Sequence, residues 1–283
     1  MTILRGMGDA AERILAGRYI AGPTIGDAIK RCRWFNKNGI RCIINYLGED
    51  LASEKDVLQS IAVYKHAIDV ISKERLDAEI SIKPSEVGLL VSDADGTMHY
   101  SELVDYAAKK RVNVWLDMEE SEHVSKTIAL FLTKIKSRNT GICIQSYLKR
   151  SRRDIMRLAR YGANIRLVKG AYSGSGRYAF QTRAETTANY YRLMDIMFRK
   201  CRRFTIATHD TRIIEKALKM NGKHKKNVTY AMLMGIKRDY LLQLAKSNYC
   251  SVYVPFGRSW VRFAYRRLKE ASNMRLIISS LFE

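Results

Sequence analysis

The stretch ICIQSYLKRSRRDIMRLARYGANIRLVKG, residues 142–170, decides the fold. It opens on a short β-branched run, Ile142-Cys143-Ile144-Gln145-Ser146. It then carries a helical pattern over 151–160 and returns to a second run, Asn164-Ile165-Arg166-Leu167-Val168. Two such runs joined by a helix read as one parallel βαβ unit. Outward from this unit the same alternation recurs. Strand-like runs lie at 42–46, 78–83, 112–117, 204–208, 228–232 and 250–254, which brings the strands to eight. Helical patterns occupy 54–74, 101–110, 121–137, 151–160, 184–202, 211–220, 237–246 and 259–271. A helical segment, 8–38, precedes the first strand. Eight βα repeats suggest an α/β chain folded as a (βα)8 TIM-type barrel over 39–283, with an N-terminal helical segment over 1–38. An open doubly wound sheet meets the same periodicity, so the pattern alone does not close the circle.

The bulk properties bound the function. A chain of 283 residues is close to the length of one (βα)8 barrel. Its 47% hydrophobic content excludes wholesale disorder. Fifty Lys and Arg face 28 Asp and Glu, for a net charge of +22 and a pI near 9.9. That excess points to a partner of opposite sign, either nucleic acid, an anionic membrane surface or an acidic cofactor, or else to a solvated basic surface. The basic residues are spread along the chain, and the densest runs, 149–153 and 223–226, are short. Nucleic acid is therefore disfavoured as the main partner. Five cysteines, at 32, 42, 143, 201 and 250, form no CxxC pair and read as free thiols of a reducing compartment. The first twenty residues lack a signal-peptide pattern, and no run of 18 apolar residues occurs. The expected location is cytoplasmic, with contact to a membrane peripheral at most.

In a (βα)8 barrel the chemistry sits at the C-terminal ends of the strands. Those ends carry Lys83, Asp117, Gln145, Arg166, Thr208-His209 and Tyr253, and the fifth strand runs into Lys169-Gly170-Ala171-Tyr172. Singly, each has a plain structural explanation. Their recurrence at one level of the barrel suggests a site. Gly170 lets backbone N–H groups approach an anion, and Lys169 adds charge there. In the helical pattern 259–271, Arg266 and Arg267 point about 100° apart and can converge on one anion between them. Paired guanidinium forks suit a carboxylate. A solvated basic face, with Arg266 and Glu270 as an ordinary helix-surface pair, accounts for the same residues. No metal-ligand cluster, GxSxG or Walker A loop is present. Gly174-Ser175-Gly176 reads as a flexible loop, and Asp93, Asp95 and Gly96 resemble only part of a calcium loop.

At these residues the sequence resembles the proline dehydrogenase family, in its monofunctional form. The motifs are SIKPSEVGL (81–89), LDMEES (116–121), ICIQSYLKR (142–150), IRLVKGAY (165–172), ATHD (207–210), VYVPFGR (252–258) and RRLKE (266–270). They occur in order across 40–275. The resemblance implies a barrel holding FAD at its strand ends, closed by the C-terminal helix. It implies oxidation of L-proline to Δ1-pyrroline-5-carboxylate, with electrons passed to a quinone or another acceptor. By the same resemblance Arg266, Arg267 and Lys83 would hold the proline carboxylate, supported by Asp117. Tyr172, Leu233 and Tyr253 would wall the substrate ring. Gln145 and Arg166 would meet the flavin, and Val168, Lys169, Gly170 and Ala171 would cradle flavin and pyrophosphate. Thr208 and His209 would serve the phosphate end, Glu270 the ribityl side and Arg183 the AMP portion. Three departures stand out. Phe263 replaces a usual Tyr, Thr229 and Ala231 replace Glu and Gln, and Met234 replaces an aromatic or His. They leave open the oxidation of another cyclic or N-alkyl amino acid. An inactive basic barrel that binds nucleic acid or membrane is the reading from a different functional class.

Overall fold

The computed structural model describes residues 18–48, 53–170 and 174–258. Helix α1 (Ile25–Lys37) leads into β1 (Ile40–Tyr46), and α2 (Glu54–Glu74) into β2 (Ala78–Ile82). A 3₁₀ turn (Ser85–Val87) and α3 (Asp93–Lys109) follow, then β3 (Val114–Leu116), α4 (Val124–Thr133) and β4 (Thr140–Gln145). The second half runs α5 (Ser151–Arg160), β5 (Asn164–Val168), α6 (Arg183–Lys200), β6 (Arg203–Ala207), α7 (Thr211–His224), β7 (Asn227–Leu233), α8 (Arg238–Ala245) and β8 (Tyr249–Phe256).

The eight strands are parallel and form a closed barrel in sequence order. Closure is made by β1 against β8, in register from Ile40 opposite Cys250 to Tyr46 opposite Phe256. This settles the alternative between barrel and open sheet in favour of the barrel.

Local chemistry sets where the helices start. Thr24 with Asp27, Ser53 with Asp56 and Thr182 with Glu185 form reciprocal capping boxes on α1, α2 and α6. Each satisfies backbone N–H groups that the first turn leaves unpaired. The acidic run around Asp93 and Asp95 is likewise the first turn of α3, capped by the Ser92 side chain. That helix begins eight residues earlier than the expected 101, because the capping Ser and acidic first turn outweigh the Gly96 that follows. An added Cβ at Gly96 would lie 2.7 Å from the Leu89 backbone, so glycine is required for the helix to seat there.

The expected N-terminal helix over 8–38 is broken in its described part. Residues 20–24 are not helical. Instead the Ala21 N–H donates to Pro255 O at 2.8 Å and the Gly257 N–H to Gly22 O at 3.0 Å. The chain before α1 is thereby pinned to the end of β8. Ile20 packs there with Leu47, Leu233 and Ile236, with Tyr253 against the cluster.

The barrel wall alternates strictly. Ile40, Cys42 and Ile44 of β1, Ile80 and Ile82 of β2, Ile165 and Leu167 of β5, and Val252 and Val254 of β8 are buried in the apolar layer beneath the helices. The intervening positions of these strands point into the barrel and, apart from Ile43, are polar or aromatic. Trp115 donates its Nε1–H to Glu79 at 2.6 Å, and its ring lies where a Gly141 Cβ would sit, 2.5 Å away. All five cysteines are free and buried. The turn Gly174–Gly176 is more structured than a flexible loop. Ser175 O accepts from the N–H groups of Tyr178 and Ala179, and the Lys149 ammonium donates to Gly176 O at 2.6 Å.

Candidate active site

At the C-terminal end of the barrel, side chains from strands that are not neighbours meet in two joined networks. The first centres on Asp117, just beyond β3. Its carboxylate accepts from Arg166 Nη2 of β5 and from the Tyr253 hydroxyl of β8 at 2.7 Å. The same Arg166 Nη2 donates to Ser81 Oγ of β2 at 2.8 Å. The guanidinium also lies over the rings of Trp115 (4.8 Å) and Tyr253 (5.6 Å). Arg166 is 3% exposed, and burial works against its charge. The facing Asp117 carboxylate outweighs that penalty and holds the guanidinium firmly protonated. Burial is also the main reason the Cys143 thiol is pushed up to about 11, so it stays neutral near Arg166.

The second network surrounds Lys83. Its ammonium donates to Glu86 Oε1 at 2.7 Å and to Asn45 Oδ1 at 3.3 Å. Glu86 is 2% exposed, and its other oxygen accepts from the Lys83 N–H and the Tyr64 hydroxyl, both at 2.7 Å. Asn45 and Tyr64 both bond the Ser81 carbonyl at 2.9 Å. Ser81 is thus the joint between the networks, carbonyl on one side and hydroxyl on the other. Burial opposes the Lys83 charge, but Glu86 and then Asp117 hold its pKa above the usual lysine value. Lys83 is therefore a positive group whose charge is already partnered.

A third group lines β4 to β7. Gln145 Nε2 donates to Met118 O at 3.0 Å, while Gln145 Oε1 and Arg166 Nη1 are buried with no hydrogen-bond partner among the described residues. Buried polar atoms left without a partner need an explanation, and at a strand-end mouth a bound group is one. Gly170, at φ +104°, follows β5, and a Cβ there would strike the Tyr147 ring at 2.3 Å. Lys169 reaches Asp210 at 3.2 Å. Thr208 is buried, and the Leu233 N–H donates to His209 Nε2 at 2.9 Å. That bond makes Nε2 an acceptor, so the neutral imidazole carries its proton on Nδ1. Val168 ends β5, and Leu233 ends β7 beside Tyr253. Arg183 is exposed at the first position of α6. Ala171, Tyr172, Phe263, Arg266, Arg267 and Glu270 lie outside the described residues.

Among the sequence-expected residues, Lys83, Asp117, Arg166 and Tyr253 therefore come together, and Gln145, Lys169, Gly170, Thr208 and His209 lie around the same barrel end. Sequence reasoning missed Glu86, Ser81, Asn45, Tyr64 and Asp210. Glu86 stands three residues after Lys83, and Asp210 directly follows His209. A search for the counter-charge of each strand-end lysine finds both.

The chain is similar to known proteins over most of its length. A family model described as "Proline dehydrogenase" matches residues 28–276. "Proline dehydrogenase 1" of Bacillus subtilis subsp. natto is 34% identical over 263 residues, covering 91% of this chain and 87% of that protein. The Deinococcus radiodurans "Proline dehydrogenase" is 31% identical, covering 90% and 86%. In structure the chain is similar to proline utilization A (PutA) from Bdellovibrio bacteriovorus, with a TM-score of 0.83 at 20% identity. That likeness covers 90% of this chain and 32% of the PutA chain, and it speaks to the fold.

Proposed function

The chain belongs to the proline dehydrogenase family, and we propose that it oxidises L-proline with FAD held at the C-terminal end of its barrel. The observation that carries the cofactor reading is the pair of orphaned buried atoms, Gln145 Oε1 and Arg166 Nη1, beside the Gly170 cradle. FAD supplies a two-electron acceptor for the hydride leaving proline C5. The chain's own residues bind and orient. Gln145 and Arg166 would meet the flavin, and Val168, Lys169, Gly170 and Ala171 would cradle flavin and pyrophosphate. Thr208 and His209 would serve the phosphate end, Glu270 the ribityl side and Arg183 the AMP portion.

Arg266, Arg267 and Lys83 bind the proline carboxylate, and Asp117 keeps Arg166 and Tyr253 in place. Tyr172, Leu233 and Tyr253 wall the ring. Clustered positive charge also favours the unprotonated substrate amine, which is the form that can lose hydride. Loss of the C5 hydride and the amine proton leaves the C5=N bond of Δ1-pyrroline-5-carboxylate. The electrons pass on to a quinone or another acceptor. The catalytic unit is 39–283, preceded by the helical segment 1–38. The described residues contain no helix long and apolar enough to cross a membrane. We place the protein in the cytoplasm with peripheral contact to an anionic membrane, and favour that surface over nucleic acid as its basic face's partner.

The test is reduction of an artificial dye by L-proline with FAD supplied, run beside a panel of other cyclic and N-alkyl amino acids. Turnover with proline alone supports the reading. Preference for another amino acid replaces the substrate. A protein that neither retains nor takes up flavin removes the proposal.

A further inference from the structure

The net charge of +22 is unevenly placed. Residues 1–148 hold 20 Lys and Arg against 20 Asp and Glu, an even balance. Residues 149–226 hold 21 against 5. The runs at 149–153 and 223–226, separate in sequence, both belong to this segment. It builds α5, α6 and α7, which are consecutive around the barrel and pack α5 on α6 and α6 on α7. Apart from Arg166 and Lys169 at the barrel mouth, the basic residues of this segment lie on these helices, their adjoining turns and the start of β6.

The stripes on these helices follow helical spacing. On α5 the inward positions are Ser151, Asp154, Ile155 and Leu158, and Arg153, Arg157 and Arg160 form the exposed stripe. On α7 the buried positions are Ile213, Ile214 and Ala217, while Arg212, Lys216, Lys219 and Lys223 form the outer stripe. Arg157, Arg160, Lys219 and Lys223 make no ion pair within the described residues. Arg153 approaches Asp154 only at 4.0 Å and its side chain is 78% exposed. Exposed tyrosines stand at both ends of α5, Tyr178 beside its start and Tyr161 at its C-cap.

We infer that the outer wall of α5, α6 and α7 is the surface by which this protein docks on an anionic lipid bilayer. A wall of exposed cations, of which Arg199 and Arg212 pair with Asp195 and Asp210, fits a plane of negative headgroups, and tyrosines at its edges suit the polar boundary of a membrane. Duplex recognition calls for an element that enters a groove, whereas here all three helices lie packed along the barrel. The charge asymmetry stands without any assignment of function. The choice of a bilayer rests on the proposed hand-over of electrons to a lipid-dissolved acceptor.

The test uses the full chain with FAD, sedimented with phosphatidylglycerol–phosphatidylcholine vesicles and with pure phosphatidylcholine vesicles. Binding is expected to the anionic vesicles only, reversed by salt as exposed charges are screened. Arg153→Glu with Arg157→Glu and Arg160→Glu should weaken it on the order of tenfold or more. A control with the same change in net charge on other helices, Lys55→Glu with Lys73→Glu and Lys109→Glu, should stay within about twofold of wild type. Proline-dependent dye reduction and flavin content, measured on all three proteins, report folding. Absence of vesicle binding, equal losses in the two triple variants, or binding to duplex DNA or RNA in place of vesicles overturns the inference. Vesicle binding without proline turnover would instead sink the functional reading and leave the surface standing.

Discussion

Asp117 accepts from two strands at once, Arg166 of β5 and Tyr253 of β8, and so it clamps the barrel mouth. Side-chain exposures of 3% for Arg166 and 15% for Asp117 make this a desolvated pair. Removing one member leaves the other buried without its counter-charge, at a cost of about 3–5 kcal/mol. Asp117→Asn should lower the urea midpoint accordingly, whereas Tyr253→Phe, which removes one neutral donor, should cost only about 1 kcal/mol.

Glu86 makes a different prediction. Its charge is among the groups that hold the Lys83 pKa above the ordinary lysine value against burial. Glu86→Gln removes that support, so the Lys83 pKa should fall. The sign follows directly: a protonated Lys83 binds carboxylate, so affinity is present below its pKa and lost as pH rises through it. Inhibition by a ring carboxylate that lacks the amine should weaken at lower pH in Glu86→Gln than in wild type. Superimposed pH profiles would show that Glu86 is only a structural group. Lys83 and Asp117 were legible as strand-end charges. The pairings that join them were not, because a hydrogen bond such as Arg166 to Ser81, between β5 and β2, leaves no spacing signature in either strand.

Between β5 and α6, Gly170 occupies a backbone conformation that side chains rarely adopt, against the Tyr147 ring. Gly170→Ala should destabilise the protein by about 1–3 kcal/mol and reduce flavin retention together, because strain and ring displacement act on the same cradle. Thermal melts and flavin absorbance of the purified variant check both. The segment 259–271, outside the described residues, carries a prediction of its own. If Arg267 binds the proline carboxylate in a closed site, Arg267→Met should reduce kcat/KM by roughly 10²–10⁴-fold, mainly through KM, and spare FAD content. A solvated helix face predicts a change of only a few tenths of a kcal/mol. The strands and most helices were legible at this scale, since their periodicity is a local property of the chain. The start of α3 was misjudged because a capping Ser and an acidic first turn resemble ion ligands in sequence.

For the molecule as a whole, a cofactor that binds only the folded barrel must stabilise it by linkage. Free FAD at about 100 times its Kd should add about 2.7 kcal/mol. The melting temperature should therefore rise with FAD concentration, and FMN, which lacks the AMP half, should raise it less. Equal shifts with both would leave Thr208, His209 and Arg183 without a role in binding the nucleotide.

Sequence alone determined the alternation of strand and helix, the apolar layer beneath the helices and the level at which the polar residues gather. Each of these follows from side-chain periodicity within a dozen neighbours. Three things were decided only by the tertiary structure. Pairing of β1 with β8 chose a closed barrel over an open sheet, because closure is a contact between distant segments that share no local pattern. Ser81 joined the Lys83 and Arg166 networks across the barrel interior, because inward side chains of non-adjacent strands meet only once the circle closes. Basic stripes dispersed along the chain became one surface, because a barrel sets consecutive helices side by side and turns the same face of each outward.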